Sequence, residues 1–407
     1  MTLIVKKYGG SSLSSVAKLR NIAASIHDSF CDSNQKLVIV LSAMGSSTDK
    51  LVDLSKKAVK DVNKRDYDML LSSGEQVSIA MLSMLINDLG SNAIPLTGWQ
   101  AGIKTDSSHA NARIKSINTK RIKSELRKNN IVVIAGFQGI TSEDNITTLG
   151  RGGSDTTAVA LAAALKADEC HIFTDVDGVY TTDPRICSKA KRLDLLTYEE
   201  MLEMSGLGSK VLQLRSVEFA SKYNVPIRVL HAHKNHASGT LITKEEKKME
   251  GALISGIAFT KDEAEIMIKG VKDQPGVAAK ILGPIGTAKI EIDMIVQNVG
   301  SNGLADFTFT VSRNTLKNAI KVIEKNKKNM GYSSFDTKNN IVKVSLIGVG
   351  MRSHAGIASK MFKCLAKNKV NIRMISTSEI KISVVIDQKN LEIAVQALHN
   401  EFKLDKK

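Results

Sequence analysis

Three short stretches of the chain combine residue types able to handle phosphate and carboxylate groups. Near the start, Lys7-Tyr8-Gly9-Gly10-Ser11-Ser12 places a cation, two glycines and two hydroxyls where an apolar run gives way to a helical pattern. Such a set suits an anion, because Lys supplies point charge, Gly lets the backbone come close, and a helix N-terminus offers unpaired N–H groups. A plain strand-to-helix turn would use the same two glycines. Further on, Leu149-Gly150-Arg151-Gly152-Gly153-Ser154-Asp155-Thr156-Thr157 runs straight into the Ala-rich segment Ala158 to Lys166. A single guanidinium among three glycines, ahead of a polar helix start, can grip a carboxylate, whereas an Arg between flexible residues does little for stability. The third stretch, Thr174-Asp175-Val176-Asp177-Gly178-Val179-Tyr180, continues through Asp183-Pro184-Arg185. Its acids, aromatic ring and arginine could hold a nucleotide by stacking and charge pairing, although Asp177-Gly178 also fits an ordinary turn. The G-x-x-x-x-G-K-[ST] loop is absent, as are HRD and DFG, which excludes a P-loop enzyme and a protein kinase.

Elements to position these groups are legible in the first 250 residues. Short apolar runs at Leu3–Lys7, Leu37–Ser42, Ala93–Thr97, Ile131–Gly136, Glu169–Asp175 and Pro226–Leu230 alternate with helical patterns at Ser12–His27, Ser73–Leu89 and Ser154–Lys166. The alternation predicts an α/β architecture with a mainly parallel, buried sheet between helices. Most of the runs end in Gly, Ser, Thr or Asp, and ligands of open α/β sheets bind beyond the carboxyl ends of the strands. Glu75 then falls at a helix start, where the macrodipole alone would favour an acid, and Lys210 could be a plain surface lysine.

Composition narrows the class. The chain has 407 residues, 43% hydrophobic and 24% charged, enough for two or three globular domains. Cys31, Cys170, Cys187 and Cys364 are far apart and form no CxxC, which suggests free thiols in a reducing compartment. Without a leader pattern or an apolar run of membrane-spanning length, the expectation is a cytoplasmic protein with no membrane partner. The net charge of +16 is spread, with 33 basic and 26 acidic residues before position 250 and 24 and 15 from there on. With aromatic residues at only 4%, nothing points to nucleic acid. His231, His233 and His236 form an HxHxxH cluster in a loop, with no acidic or Cys neighbour to make it a convincing metal site.

From about Ala252 an internal repeat emerges. Gly276 falls on Gly356, and Ile290, Ile292, Met294 and Ile295 fall on Val370, Ile372, Met374 and Ile375, at an offset of 80. Each unit reads strand, helix, strand, strand, helix. The first has a closing strand candidate at Tyr332–Thr337, and the second lacks one, so the stretch Leu253–Thr260 is expected to complete the second sheet and interleave the units.

The three motifs, in this order and followed by a tandem repeat, resemble the aspartate kinase family of the amino acid kinase superfamily across essentially the whole chain. Leu41-Ser42-Ala43-Met44-Gly45, Ser73-Gly74-Glu75-Gln76, Gly136-Phe137-Gln138-Gly139, Gly208-Ser209-Lys210, Gln297-Asn298 and Ser376-Thr377-Ser378-Glu379 agree with it. The opening KYGGSS departs from a common KFGGTS while keeping charge, glycines and hydroxyls. The resemblance implies an amino acid kinase domain over residues 1–249 and two βαββαβ ferredoxin-like ACT domains over 265–340 and 341–407, the latter completed by 252–260. It implies transfer of the ATP γ-phosphoryl group to the side-chain carboxylate of L-aspartate, with Mg²⁺. That is the first step toward lysine, threonine, methionine and diaminopimelate.

By the same resemblance, Lys7, Asp155 and Arg151 would be catalytic. Ser42, Thr48, Glu75, Phe137, Arg151 and Ser154 would form the aspartate pocket, with Glu75 on the α-ammonium and Arg151 on a carboxylate. Lys7, Tyr8, Gly9, Gly10, Thr174, Asp175, Tyr180, Arg185 and Lys210 would hold ATP, and no resident protein metal site is implied. The ACT repeats imply feedback by lysine and/or threonine at Asp273, Gly276, Val277, Ala278, Ala279, Asp293, Met294, Gln297 and Asn298, and at Ile357, Ala358, Asn371, Ile372, Thr377 and Ser378. They also imply a homo-oligomer through ACT pairing, or a hetero-oligomer with a shorter regulatory subunit whose start could lie at Met249. The alternatives are another amino acid kinase, or a non-catalytic amino-acid sensor with the same fold.

Overall fold

Runs of β-branched and aliphatic residues that are buried at every position belong in the middle of a sheet covered on both faces, and the chain has several. The computed structural model describes residues 2–33, 35–207, 211–234, 238–244, 254–300, 303–349, 351 and 356–406. Contacts divide the chain into two units. One comprises Met1–Tyr180, Arg192–Gly206 and Lys210–Glu250, and the other Thr181–Lys191, Leu207–Ser209 and Gly251–Lys407.

The first unit opens with β1 (Thr2–Tyr8), α1 (Val16–Asp32), β2 (Gln35–Leu41), α2 (Ser47–Ala58), α3 (Lys64–Asp88) and β3 (Ala93–Leu96). Next come β4 (Ile103–Thr105), β5 (Ile114–Ile117), α4 (Lys120–Arg127), β6 (Ile131–Ala135), β7 (Gln138–Ile140) and β8 (Ile146–Thr148). It ends with α5 (Gly153–Leu165), β9 (Glu169–Thr174), β10 (Leu195–Thr197), α6 (Tyr198–Gly206), α7 (Leu214–Tyr223), β11 (Ile227–His231) and β12 (Thr240–Thr243). Eight strands form one sheet in the order β10-β12-β11-β9-β1-β2-β6-β3, parallel except where β12 runs against β11. In register, Tyr8 lies beside Leu41 and Phe173, and Leu41 beside Ala135, so the carboxyl ends of the central strands finish together. A second sheet, β5-β4-β7-β8, has no counterpart in the sequence reading, because its strands of three or four residues are too short to show alternation.

Two helices begin elsewhere than expected. Residues Gly10–Leu13 form a single 3₁₀ turn, and α1 starts at Val16, not Ser12, with the Ser15 side chain accepting from the Lys18 N–H. Helix α3 starts at Lys64, capped by Asn63, not at Ser73. The hydroxyls of Ser72 and Ser73 donate back to the Met69 and Leu70 carbonyls, which lets two serines sit inside a helix. Glu75 is therefore well inside α3, and the macrodipole does not account for it. Among the described residues α3 alone is long and apolar enough to cross a membrane, and its Leu71, Ile79, Leu82 and Ile86 are buried as in a core helix.

The second unit contains β13 (Gly256–Lys272), α8 (Val277–Thr287), β14 (Ile292–Val299), β15 (Leu304–Val311), α9 (Arg313–Lys325) and α10 (Lys327–Met330). It continues with β16 (Ser334–Ile347), α11 (Ile357–Lys367), β17 (Ile372–Thr377), β18 (Lys381–Asp387) and α12 (Leu391–Glu401). All six strands are antiparallel, in the order β14-β15-β13-β16-β18-β17. The two central strands serve both repeats: residues 264–272 of β13 pair with β15, while Gly256–Thr260 pair with Ile347–Lys343 of β16. Ile266, Ile268, Phe307 and Phe309 pack in one apolar cluster and Val342, Val344, Leu365 and Val384 in another.

The opposite sheet face buries charge. Lys343, its side chain 6% exposed, pairs with Asp293 and lies 3.3 Å from Glu263, while Arg373 grips Glu265 with bonds of 2.7 and 3.0 Å. At the repeat offset of 80, Glu263 falls on Lys343 and Asp293 on Arg373, so the two repeats carry opposite charges and attract each other. Removing one partner of a buried pair costs more than removing both. Arg373→Ala should therefore lower stability in urea unfolding by about 2 kcal/mol, and Glu265→Leu with Arg373→Met should stay within about 1 kcal/mol of the parent. A double variant as unstable as the single would refute the pairing as the cause.

Candidate active site

The parallel strands aim their carboxyl ends at one edge of the first unit, and the charged groups gather there. Lys7, one residue before the end of β1, reaches Asp155 in the first turn of α5 at 2.5 Å, both side chains 11% exposed. Beyond β1 the backbone is crowded. A Cβ on Gly10 would stand 2.7 Å from the Ala43 carbonyl oxygen, and the Gly45 N–H donates to the Gly10 carbonyl. No larger residue fits at Gly10. Tyr8 itself is turned away, its ring stacked at 4.5 Å on Phe173 in the core and its hydroxyl pushed up by burial, so only its backbone is available to a ligand.

The loop after β2 holds Ser42, whose N–H donates to the Tyr8 carbonyl, and Ala43, whose N–H donates to Glu75 Oε1 at 3.1 Å. Glu75 is 3% exposed and its Oε2 has no partner among the described residues. Burial raises its pKa to about 8, against the weaker pull of its own N–H and that of Ala43. A buried carboxyl with an open oxygen is the kind of group a ligand cation would satisfy. Thr48 is half-buried in the first turn of α2.

After β6 the chain turns sharply at Gly136, where a Cβ would meet Ser154 at 2.8 Å, and Phe137 takes a φ of +69°. The Phe137 N–H donates to the Thr157 hydroxyl and its carbonyl accepts from Leu149, which ties this turn to the glycine-rich loop. Within that loop Arg151 is exposed between Gly150 and Gly152, whose φ angles are +77° and +68°, and it makes no hydrogen bond or ion pair among the described residues. Ser154 and Asp155 are buried in the first turn of α5.

The third motif is divided. The Thr174 hydroxyl donates to Asp175, and the Tyr180 hydroxyl to Asp177 at 2.9 Å. Burial would raise the Asp177 carboxyl, but Tyr180, its own N–H and the charges of Lys234 and Arg192 hold it below the usual range. Arg185, by contrast, belongs to the second unit, and its guanidinium, 88% exposed, is engaged by Asp183 at 2.8 Å. Its sequence proximity to Tyr180 gave no sign of that division. Lys210, with Gly208 and Ser209, lies outside the described residues, as do Met249 and His236. The His233 N–H donates to His231 Nδ1, and among the described residues no group of three or more His, Cys, Asp or Glu is placed to hold a metal.

In the second unit Gly276 and Gly356, with φ of +87° and +104°, begin α8 and α11. Asp273, Ala278, Ala279, Gln297, Asn298, Asn371, Thr377 and Ser378 are exposed, Ala358 and Ile372 half-buried, and Val277, Met294 and Ile357 buried. Asp293 is taken up by Lys343. The exposed Ile295 and Val299 of β14 and Ile375 of β17 leave both edge strands of the sheet with apolar surface.

Two charged residues escaped the sequence reading. Asp68, fully buried in α3, lies seven residues before Glu75 on the same helical face, a spacing that was visible. Arg215, near the start of α7, carries no sequence signal beyond following the Gly208-Ser209-Lys210 stretch.

The model of the amino acid kinase family matches residues 2–231, and models of the ACT domain match 265–327 and 344–402. The aspartate kinase of Pseudomonas fluorescens (strain SBW25) is 57% identical over 408 residues, covering 100% of this chain and 98% of that protein. An aspartokinase of Helicobacter pylori (strain J99) is 48% identical, over 99% of this chain and 100% of that one. Among solved structures, Clostridium acetobutylicum aspartate kinase superposes with a TM-score of 0.81 at 26% identity, over 98% of this chain and 100% of that one. Escherichia coli aspartokinase III in complex with aspartate and ADP also gives 0.81, over 98% and 99%, with 23% identity, a likeness of fold. With its ordered motifs and paired repeats, the chain belongs to the aspartate kinase branch of the amino acid kinase family.

Proposed function

We propose that the protein transfers the γ-phosphoryl group of ATP to the side-chain carboxylate of L-aspartate, giving 4-phospho-L-aspartate and ADP. The observation that carries the reading is Glu75, a buried carboxyl with one open oxygen beside Ala43, which an α-ammonium would complete. One oxygen of the aspartate side chain bonds to the γ-phosphorus as the bond to the β–γ bridging oxygen breaks, and that electron pair leaves with ADP. The nucleophile, with a pKa of about 4, is ionised at neutral pH, so no general base is required. The difficulty is bringing two anions into line, which makes the work one of positioning and charge neutralisation.

Lys7 bears on the transferring phosphates, with the Gly9 and Gly10 backbone close by. Arg151 takes the α-carboxylate, Glu75 the α-ammonium, and Ser42, Thr48, Phe137 and Ser154 complete the pocket. Thr174, Asp175 and Tyr180 hold the nucleotide, joined by Lys210, while the Asp183-bound guanidinium of Arg185 would have to change partners to take part. Asp155, a buried hard carboxylate at the start of α5, would help hold Mg²⁺ that accompanies the nucleotide, and the ion would supply charge neutralisation at the phosphates. The glycine turns and edge strands of the second unit suit free amino-acid effectors, lysine and/or threonine, and pairing of ACT modules in an oligomer. These roles belong to a cytoplasmic enzyme divided at 1–249, 265–340 and 341–407.

Mg-ATP turnover trapped with hydroxylamine should give hydroxamate with L-aspartate, little with L-glutamate, and less when lysine, threonine or both are added. A folded, ATP-binding protein that yields none would overturn the enzyme reading in favour of a sensor. Glu75 makes a second prediction. Its folded pKa of about 8 lies above the ordinary 4.5, so the stability it contributes is complete below pH 4.5 and is lost as pH rises through 8. In the absence of aspartate, Glu75→Gln should gain on the order of 4 kcal/mol over the parent between pH 5 and pH 9 while losing aspartate affinity. Parallel stability curves for the two proteins would contradict the shift.

A further inference from the structure

Among the described residues Arg151 makes no hydrogen bond or ion pair of its own to hold it, so its direction is set by the roots of its loop. Leu149, at the start of the loop, is fully buried, and its carbonyl accepts from Arg215 Nη1 at 2.8 Å. The other arm of that guanidinium, Nη2, donates at 2.8 Å to the carbonyl of Ala112, whose own N–H donates to the Thr148 carbonyl. Arg215 forms no ion pair among the described residues. Burial and the charge of Arg113 lower its pKa, with Asp106 and Glu218 opposing. A half-buried guanidinium that spends both arms on two carbonyls in place of a carboxylate fixes their separation, which a lysine's single ammonium cannot do.

A second charge anchors the same root from the other side. The carboxylate of Asp68 accepts from the Thr148 hydroxyl at 2.5 Å, from the Ala110 N–H at 3.0 Å and from His109 Nδ1 at 2.8 Å. Gly150 and Gly152 then pack without room to spare, since a Cβ would stand 2.9 Å from Asn111 Oδ1 in the first case and 2.1 Å from Gln213 Cγ in the second. The result is a flexible-looking loop whose two left-handed glycines are seated against side chains, while its first residue is held by a fork. Gln213 and Arg215 both come from the start of α7, so a single helix end seats the glycine and clamps the root.

We infer that Arg215, with Asp68, is a positioning residue for the Arg151 clamp: the two fix the Thr148–Leu149 root so that the Arg151 guanidinium meets the α-carboxylate of the amino-acid substrate. The inference rests on the reading of Arg151 given above. Misplacement of a substrate clamp by an ångström weakens use of that substrate and leaves the other substrate's binding alone. Arg215→Lys keeps the charge and loses the fork. In steady-state kinetics it should raise KM for L-aspartate by ~10-fold, with kcat within ~3-fold and KM for ATP within ~2-fold. Arg151→Ala should raise the same KM at least as far, and adding Arg215→Lys to it should cost nothing more, because the second residue acts through the first. If Arg215→Lys does not fold, Asp68→Asn, which keeps an acceptor for Ala110, is read in the same way. Independent, additive losses, or equal rises in both KM values, would overturn the inference. An unchanged aspartate KM in Arg151→Ala would instead overturn the reading of Arg151 itself.

Discussion

A lysine ammonium and a carboxylate held 2.5 Å apart, with little exposure, organise the first unit around the ends of its strands. Lys7 comes from β1 and Asp155 from the first turn of α5, so the pair exists only if a strand and a helix far apart in sequence meet at one edge. The parallel sheet arranges this. Its central strands end in register, and the turns that follow them deliver Gly9–Gly10, Ser42–Ala43 and Gly136–Phe137 to the same place. Two anions can be brought together where fixed cations and backbone donors already face them, since little reorganisation remains when charge moves.

Close packing sets the precision. Gly10 lies against the loop after β2, Gly136 against Ser154, and Gly152 against Gln213, each at a distance that excludes a side chain. Glycine is therefore not present here for mobility. It allows three turns to interlock, and the charged groups between them inherit a fixed geometry from buried supports such as Asp68 and Glu75 on a single face of α3. In the second unit the same economy appears as charge: Glu263 and Glu265 of β13 and Asp293 of β14 meet Lys343 of β16 and Arg373 of β17.

What was legible in the sequence follows from period and length. The strands Gln35–Leu41 and Ile131–Ala135 were visible as apolar runs because they are covered on both faces, and the strand-helix order of the two repeats was visible from an offset of 80 that shortens to 75 after a turn. The small sheet was hidden because strands of three or four residues show no period, and the early start of α3 because Ser73, at which the helical pattern was read to begin, sits inside the helix with its hydroxyl on the Leu70 carbonyl. Residue types within motifs pointed to Lys7 and Arg151, whereas Glu75 and Asp155 were named through the family resemblance. The motifs gave no warning that Tyr8 faces the core or that Arg185 sits with the second unit, since neither burial nor unit membership is written in a local pattern. Arg215 was out of reach for the same reason: its partners are carbonyls 66 and 103 positions away, and any residue can supply a carbonyl.

The proposed role of Lys7 is to neutralise the transferring phosphates. Its direct test is a single-turnover measurement on Lys7→Ala with labelled ATP and L-aspartate, alongside the binding of each substrate. The account predicts that aspartate still binds, that ATP binds within ~10-fold of the parent, and that acyl phosphate forms ~1,000-fold more slowly. Phosphoryl transfer at close to the parent rate would contradict it.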